Sequence, residues 1–457
     1  MKLKDGRIVK TLDSLSSKPI LRNLTYSTAV IFFFALILTP PILGIIFKCN
    51  VIGQVLESPS LRSRALSAIY TSFAIAIFVS MIDIVFGLPL AWFIARGKSK
   101  WLDILDTFAD IPFIVPTVTL GYSLLLFWSS PEGISAIFGK SLVSPGWLLI
   151  ILLHFAFSYP CVVRVMVGEI LDYEQRYEEA ARTSGAAPYT VARTVTLPIL
   201  KTGLIASFTL AFARSISETG ATMMVAGTFE NGPIFIKNAM TLGSESPLVF
   251  VSFVLIAVSC VIFAVIRLLG PRLRIPFKKV WPTFERRLST KGIVASRDAM
   301  AVLVFLLIVF IPSLFIVLPA TRALFSGTFN EALTGSGVWQ DYWQALVLSY
   351  AVGAIVTLLN IVAGLPMAVL IARGKVGTVP LTILDVLVNV PLVVPSIALG
   401  VSLSFFWKSI TFIPEIWLLI FAHLSITYPY FVRAMSASIE GVNIDFEDSA
   451  RDRKSVV

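Results

Sequence analysis

Apolar residues along this chain are gathered into long blocks that are separated by short polar segments. Three of these blocks, which begin at Ala29, Pro247 and Ala299, each contain about 20 residues without a charged side chain. About 20 apolar residues in a helix cover the roughly 30 Å hydrocarbon core of a bilayer. A buried helix of a large soluble protein explains one such block but not ten. The pattern therefore predicts an all-α, polytopic membrane protein.

Ten membrane spans are predicted from the blocks and the polar segments between them. They cover approximately residues 29–47, 67–95, 104–128, 147–167, 203–226, 247–269, 299–318, 343–372, 383–407 and 417–434. The composition agrees with this prediction, because 56% of the residues are hydrophobic, only 14% are charged and the mean hydropathy is +0.86.

The net charge of +10 is distributed in a way that indicates membrane topology. Lysine and arginine are concentrated before residue 29, in the turn at 96–100 and in the segment 267–291, whereas the alternate loops are nearly free of them. Cytoplasmic loops carry such an excess of basic residues. We therefore expect a cytoplasmic N-terminus and no nucleic-acid partner.

Whole segments of the sequence occur twice. "GLPLAWFIARGK", residues 87–98, returns as "GLPMAVLIARGK" at 364–375, and two further pairs of segments repeat in the same order. The charge pattern of the second half copies that of the first, so the two repeats are predicted to be parallel.

The repeats define the predicted domains. These are a cytoplasmic tail (1–28), a first repeat of six spans (29–270), a basic cytoplasmic linker (271–298), a second repeat of four spans (299–451) and a foreign terminal segment (452–457). On this interpretation the second repeat is truncated, because it has two spans fewer than the first.

A polar stretch between the fourth and fifth predicted spans, residues 172–198, carries the main functional motif. Good helix formers fill 172–183, and Gly185 suits the left-handed position that ends a helix. Pro188 suits the first turn of a second helix, and Leu197-Pro198 interrupts the chain before the next span. The stretch is predicted to form two short helices joined at a glycine.

The first of these helices has features of a docking surface. Ala180 and Ala181 leave one face bare, so that another protein can approach closely. Glu178 and Glu179 are predicted to flank this face with negative charge.

The spacing Glu179-Ala180-Ala181, Gly185 and Leu197-Pro198 resembles the EAA loop of type I ABC importer permeases, the inner-membrane components of binding-protein-dependent transport systems. Val195 in place of isoleucine is the one departure from that pattern. A second copy begins at 446–451, "FEDSAR", which aligns with "YEEAAR" at 177–182. The residues that match the opening of the motif there are Glu447, Asp448, Ser449 and Ala450.

The resemblance implies a MetI-like permease fold and a multi-pass location in the plasma or inner membrane. It implies that two ABC ATPase subunits dock on the EAA loops from the cytoplasmic side, and that an external solute-binding protein delivers the solute. ATP and magnesium would bind to the ATPases, so no cofactor and no enzymatic activity are expected of this chain. The fusion of two units is similar to the ferric-iron and thiamine permeases.

The segment "RSISETGATMMVAG", residues 214–227, resembles the fifth-span region of oxyanion permeases. On this basis Arg214, Ser217 and Glu218 are candidate residues of the translocation cavity. The substrate classes that stay open are ferric iron, thiamine and an oxyanion such as molybdate, tungstate or sulfate.

Other polar residues within the predicted spans weigh against alternative functions. Asp83 aligns with Asn360 between the repeats, and an amide at the same position favours hydrogen bonding over ionisation. An ion-coupled secondary transporter, the main alternative, would favour inverted repeats and ionisable groups along a path. An enzyme needs convergent catalytic groups, and a metal site needs a cluster of ligands, but the two histidines and three cysteines are scattered.

Overall fold

The computed structural model describes residues 18–272, 280–374 and 377–445, and every regular element in these ranges is helical. Seven helical segments in the described part are long and apolar enough to cross a membrane. They are Pro19–Val51, Pro59–Arg96, Trp147–Asp172, Glu245–Leu269, Lys291–Phe325, Gly337–Arg373 and Glu415–Glu440. The prediction of an all-α, polytopic membrane protein is confirmed.

Three further apolar segments of the described chain are broken helices, and counting each as one span gives the ten that the sequence predicts. They are Trp101–Ile114 with Thr117–Ser129 (bent by 107°), Pro188–Ile199 with Lys201–Ser217 (72°) and Val379–Val393 with Ser396–Lys408 (102°). The third and ninth spans, predicted as 104–128 and 383–407, are therefore broken, and the second pair begins at Pro188, in the polar stretch that precedes the predicted fifth span at 203–226. Proline explains the first bend, because Pro116 disfavours helical geometry at Val115, which is extended at φ −70° and ψ 127°.

The described residues divide into two compact units. The larger unit contains 51–272, 280–330 and 393–398. Its longer helices are Pro59–Arg96, Trp101–Ala109, Thr117–Ser129, Trp147–Asp172, Arg176–Thr183, Lys201–Ser217, Gly232–Thr241, Glu245–Leu269, Lys291–Val304 and Val317–Phe325. Shorter helical pieces of this unit are Gly53–Glu57, Ile111–Ile114, Ser135–Phe138, Pro188–Val191, Ala192–Thr196, Leu197–Ile199, Gly220–Val225, Gly270–Arg272, Pro282–Leu288, Phe305–Phe310 and Ile311–Leu314.

The smaller unit contains 18–50, 331–374, 377–392 and 399–445. Its helices are Pro19–Phe32, Phe33–Leu38, Thr39–Ile46, Gly337–Trp339, Tyr342–Leu359, Asn360–Gly364, Leu365–Arg373, Thr378–Val388 and Glu415–Glu440. Four of the described helices cross from one unit to the other along the chain, namely Cys49–Val51, Thr328–Thr334, Val390–Val393 and Ser396–Lys408.

The compact units do not coincide with the predicted repeats, because each contains the first span of the other repeat. In the larger unit, Phe305 of the seventh span stacks on Tyr159 with ring centroids 6.3 Å apart. In the smaller unit, Phe33 of the first span stacks on Tyr428 at 5.9 Å. Both phenylalanines are fully buried, so each first span completes the apolar core of the unit in which it lies.

Candidate functional site

Two short helices occupy the segment between the fourth and fifth spans. Elbow helix 1 is Arg176–Thr183, elbow helix 2 is Pro188–Val191, and together with the turn between them they form the elbow. Gly185 follows elbow helix 1 with φ +89°, and its N–H donates to the Arg182 carbonyl at 3.0 Å. The N–H of Ala186 donates to the Ala181 carbonyl at 3.2 Å. These two bonds and the left-handed glycine form a Schellman motif, which ends the helix as the sequence predicts.

Elbow helix 2 begins at Pro188, where the missing N–H of proline would have no helical partner. A π-helical turn, Ala192–Thr196, and a short helix, Leu197–Ile199, continue the chain towards the fifth span. The chain bends by 72° before Lys201–Ser217. Leu197 and Pro198 lie within the helical run that ends at Ile199, and the bend follows at Leu200, so the chain is interrupted two residues after the predicted position.

Elbow helix 1 presents an exposed face of small and apolar residues. Tyr177, Ala180 and Ala181 lie three and four positions apart, which places them on one helical face. Tyr177 is 54% exposed, Ala180 is exposed and Ala181 is half-buried. Glu179 is also exposed. Tyr177 and Ala180 are accessible to another protein, whereas Glu179 lies about 150° around the helix from this face.

Glu178 does not flank the exposed face, which corrects the prediction from the sequence. Its carboxylate forms an ion pair with Arg96 at 3.1 Å and accepts a hydrogen bond from the Thr196 hydroxyl at 3.1 Å. The side chains of Arg96 and Glu178 are only 16% and 17% exposed. Adjacent residues of a helix point about 100° apart, so Glu178 faces inward while Glu179 faces solvent.

The remaining residues of the predicted motif are placed as follows. Leu197 is half-buried and Pro198 is exposed. The second copy of the motif, Glu447, Asp448, Ser449 and Ala450, lies outside the described residues.

Glu285 contacts elbow helix 2 from the segment predicted to link the two repeats, and sequence reasoning missed it. It belongs to the helix Pro282–Leu288, is only 1% exposed, and pairs with Arg193 at 2.6 Å. The Thr190 hydroxyl also donates to its carboxylate. One signal was present in the sequence, since Glu285 is the single acidic residue between 267 and 291.

The three candidate cavity residues lie next to a break in the fifth span. Lys201–Ser217 ends there, and Gly220–Val225 starts after Glu218 and Thr219. Glu218 is 5% exposed and its Oε1 accepts from the backbone N–H of Ala221 at 2.7 Å, which stabilises the start of the second helix.

Arg214 and Ser217 make mainly local contacts. The Arg214 guanidinium lies 3.8 Å from the centroid of the Phe157 ring and 5.5 Å from that of Phe113, within the range of cation–π attraction. The Ser217 hydroxyl donates to the Arg214 carbonyl at 3.1 Å. The Ser217 carbonyl accepts a hydrogen bond from the Ser396 hydroxyl at 2.5 Å.

A cavity of about 380 Å³ lies beside this break, within the larger unit. Its walls contain one lysine, three hydroxyl side chains and three apolar side chains, namely Lys237, Thr219, Thr241, Ser396, Met223, Met240 and Ile397. Arg214, Ser217 and Glu218 are not among these lining residues. The Thr241 hydroxyl donates to the Lys237 carbonyl at 3.0 Å and the Ser396 hydroxyl to the Ser217 carbonyl, so the donor on this wall that suits an anionic solute is the Lys237 ammonium group.

The carboxylates within the spans are engaged in hydrogen bonds between helices. Ser158 donates to the buried Asp83, and the Asn360 side chain donates to the Thr427 hydroxyl at 2.8 Å. Asp83 aligns with Asn360, and Ser158 with Thr427, in the predicted repeats. The same contact is therefore made with an acid in one place and with an amide in the other.

An arginine–aspartate pair also occurs at matching positions. Arg164 pairs with Asp106 at 3.0 Å in the larger unit, and Arg433 pairs with Asp385 at 2.6 Å in the smaller unit. Arg164 also forms an ion pair with Asp110. Within the described residues, no group of three or more His, Cys, Asp or Glu side chains is arranged to hold a metal ion.

Comparison with known proteins places most of these features in a region of recognised sequence. The family described as the binding-protein-dependent transport system inner membrane component matches residues 87–275. This range includes the elbow, the break in the fifth span and the cavity residues up to Thr241.

Curated relatives each match a little less than half of the chain. The sulfate transport system permease protein CysT of Salmonella typhimurium is 31% identical over 222 residues, which are 47% of this chain and 79% of the relative. CysT of Escherichia coli is 29% identical over 226 residues, again 47% and 79%. The molybdenum transport system permease protein ModB of Escherichia coli is 29% identical over 198 residues, 42% of this chain and 84% of the relative.

Proposed function

The chain belongs to the family of binding-protein-dependent transport system inner membrane components, and from this premise we propose that it imports a tetrahedral oxyanion. Sulfate and molybdate are the two candidates. The chain is the permease of a type I ABC importer and a multi-pass membrane protein. The observation that carries the choice of substrate class is that relatives named for sulfate and for molybdenum transport are each about 30% identical to this chain, over 222 and 198 residues.

The cavity beside the break in the fifth span supports this substrate class. An oxyanion in a membrane needs cationic and hydroxyl donors to replace its hydration, because burial of an unpaired charge is costly. Lys237 supplies a cationic donor on its wall, and the hydroxyl groups of Thr219, Thr241 and Ser396 make that wall polar. We include this cavity in the proposed path of the solute. Ferric iron and thiamine are cations and are less compatible with a lysine at this position.

The elbow supports the proposal that separate ATPase subunits drive transport. Its exposed face, with Tyr177, Ala180 and Ala181, projects from two short helices that are fixed to the ends of membrane spans. In the proposed orientation the N-terminus and the elbow lie in the cytoplasm, where ATP and magnesium bind to the ATPases. An external binding protein delivers the solute on the opposite side.

Transport by the reconstituted complex tests the substrate class. The permease, its ATPase and its binding protein are placed in proteoliposomes, and uptake of radioactive sulfate and of molybdate is measured with and without ATP. We expect ATP-dependent uptake of at least one oxyanion, and weaker uptake when Lys237 is replaced by glutamine. Lys140→Gln, at an exposed lysine outside the cavity, is the matched control and is expected to transport normally. Uptake of ferric iron or thiamine without oxyanion uptake would contradict the proposal.

A further inference from the structure

The helix between the two repeats makes a polar contact with the elbow that the transport motif alone does not include. We call the five residues of this contact the Glu285 cluster, namely Thr190, Arg193, Trp281, Glu285 and Ser289. All five lie in the larger unit. Thr190 belongs to elbow helix 2 and Arg193 to the π-helical turn that follows it, whereas the other three residues belong to the linker.

Glu285 is the centre of the cluster. Its carboxylate accepts hydrogen bonds from the hydroxyl of Thr190, from the guanidinium of Arg193 at 2.6 Å and from the backbone N–H of Trp281 at 3.4 Å. The Arg193 guanidinium also lies over the Trp281 ring at 5.7 Å. The Ser289 hydroxyl accepts from the backbone N–H of Tyr189, near the start of elbow helix 2, at 3.0 Å.

These hydrogen-bond donors stabilise the ionised form of Glu285. Burial opposes its ionisation, but hydrogen bonds from Thr190, Trp281 and Arg193 hold the pKa of Glu285 below its ordinary value. The side chains of Glu285 and Arg193 are only 1% and 11% exposed. Removing one partner of such a pair leaves the other charge buried without compensation, which is strongly unfavourable.

The cluster is connected to elbow helix 1 through the π-helical turn Ala192–Thr196. Arg193 at the start of this turn pairs with Glu285, and Thr196 at its end donates to Glu178 of elbow helix 1 at 3.1 Å. Glu178 in turn pairs with Arg96 at the end of the second span. One turn of the chain is thus bonded to the linker, to elbow helix 1 and, through Glu178, to a membrane span.

We propose that Glu285 is a positioning residue for energy coupling: it fixes the elbow to the linker, so that movement imposed on the elbow by an ATPase is passed to the membrane spans. This inference rests on the proposed function, because it requires an ATPase at the elbow. It assigns the linker a mechanical role in addition to joining the repeats. Without the Glu285 cluster, we expect the elbow still to move with the ATPase, but a smaller part of that movement to reach the membrane spans.

The ratio of solute imported to ATP hydrolysed measures this role directly. In proteoliposomes with the ATPase and binding protein, we expect Glu285→Gln to lower this ratio by about fivefold or more. The replacement keeps the size of the side chain and its ability to accept from Thr190, but it removes the charge opposite Arg193. Glu285→Asp keeps the charge and is expected to show a higher ratio than Glu285→Gln. A general loss of stability would not explain such a recovery.

A matched control is available in an exposed ion pair of the same unit. Glu132 pairs with Arg322 at 2.7 Å, with the two side chains 51% and 57% exposed, and such surface pairs contribute little. Glu132→Gln is therefore expected to leave the ratio unchanged. Ser289→Ala is a milder second variant that removes the bond from the Tyr189 N–H and the bond from the Ser289 hydroxyl to the Glu285 carbonyl, and a smaller decrease in the ratio is expected.

The outcomes separate this inference from the proposed function. If the unaltered complex neither hydrolyses ATP in response to solute nor transports it, the proposed function is contradicted. If the unaltered complex transports, and Glu285→Gln and Ser289→Ala both import as much solute per ATP as it does, the role of Glu285 in coupling is refuted. A Glu285→Gln variant that does not assemble leaves the decision to Ser289→Ala and Glu285→Asp, for which an unchanged ratio has the same meaning.

Discussion

Replacing Gly185 by alanine adds one methyl group at the turn between the two elbow helices. Gly185 has φ +89°, a conformation that costs an L-residue about 1–2 kcal/mol relative to glycine. A Cβ atom added at this position would have no heavy atom within 4 Å outside the neighbouring residues. The effect therefore comes from the backbone alone, without a steric clash or a lost packing contact.

This conformational cost lowers the fraction of molecules in which the elbow is correctly formed. A cost of about 1–2 kcal/mol lowers the ratio of the native turn to its alternatives by about 5- to 30-fold. Because apparent affinity falls with the fraction of competent molecules, we expect the ATPase to dock more weakly, by at most about 30-fold. Asparagine tolerates a left-handed conformation better than alanine, so the docking affinity of Gly185→Asn is expected to lie between those of the unaltered permease and Gly185→Ala.

Docking can be measured as the binding of purified ATPase to permease in nanodiscs. Gly168→Ala is the matched control, because Gly168 lies on an exposed position of the helix Trp147–Asp172, also with open space at the Cβ position. Alanine is favoured over glycine inside a helix by about 1 kcal/mol, so this variant should dock normally. Equal docking by Gly185→Ala and the unaltered permease would refute the importance of the left-handed turn.

Two further predictions concern packing within the spans. Asp83→Asn is expected to keep uptake within about twofold of the unaltered permease, because Asn360 makes the equivalent contact as an amide; a loss greater than tenfold would indicate that ionisation of Asp83 is required. Gly121→Ala is expected to lower stability by about 1–3 kcal/mol, because its Cβ would lie 2.7 Å from the backbone of Ala221. Gly400→Ala, with open space at the aligned position inside a helix, should not lower the thermal unfolding temperature, and similar decreases for the two changes would contradict this account.

The spans and the elbow could be predicted because their causes are local. Long apolar blocks have few stable alternatives to a membrane helix. The end of elbow helix 1 and the start of elbow helix 2 follow from the conformational preferences of Gly185 and Pro188. These preferences act within a few residues and are visible in the sequence.

The bends in the third and ninth spans were missed although a local signal existed. Pro116 precedes Thr117–Ser129, and the corresponding Pro395 precedes Ser396–Lys408. A proline disfavours helical geometry in the residue before it, but many membrane helices contain proline without a sharp bend. The hydrophobic pattern alone does not distinguish a continuous span from a broken one.

The exchange of first spans and the role of Glu285 depend on contacts between distant parts of the chain. Phe33 and Phe305 lie in apolar blocks that resemble each other, so nothing local indicates which core each one completes. The linker is mostly basic, and its charge was interpreted as a signal of topology. That interpretation accounts for the many arginines and lysines but not for a buried glutamate bonded to Arg193 about 90 residues earlier.

Chemical cross-linking from Ala181 tests the central claim, that an ATPase binds the elbow. Cys49, Cys161 and Cys260 are first replaced, so that a cysteine introduced at position 181 is the sole thiol of the permease. In the assembled transporter we predict that a short cross-linker joins this cysteine to a nucleotide-hydrolysing subunit, with a yield that changes when ATP is added. If the complex is intact and active but no ATPase is captured from this position, the elbow is not the coupling surface and the account is wrong.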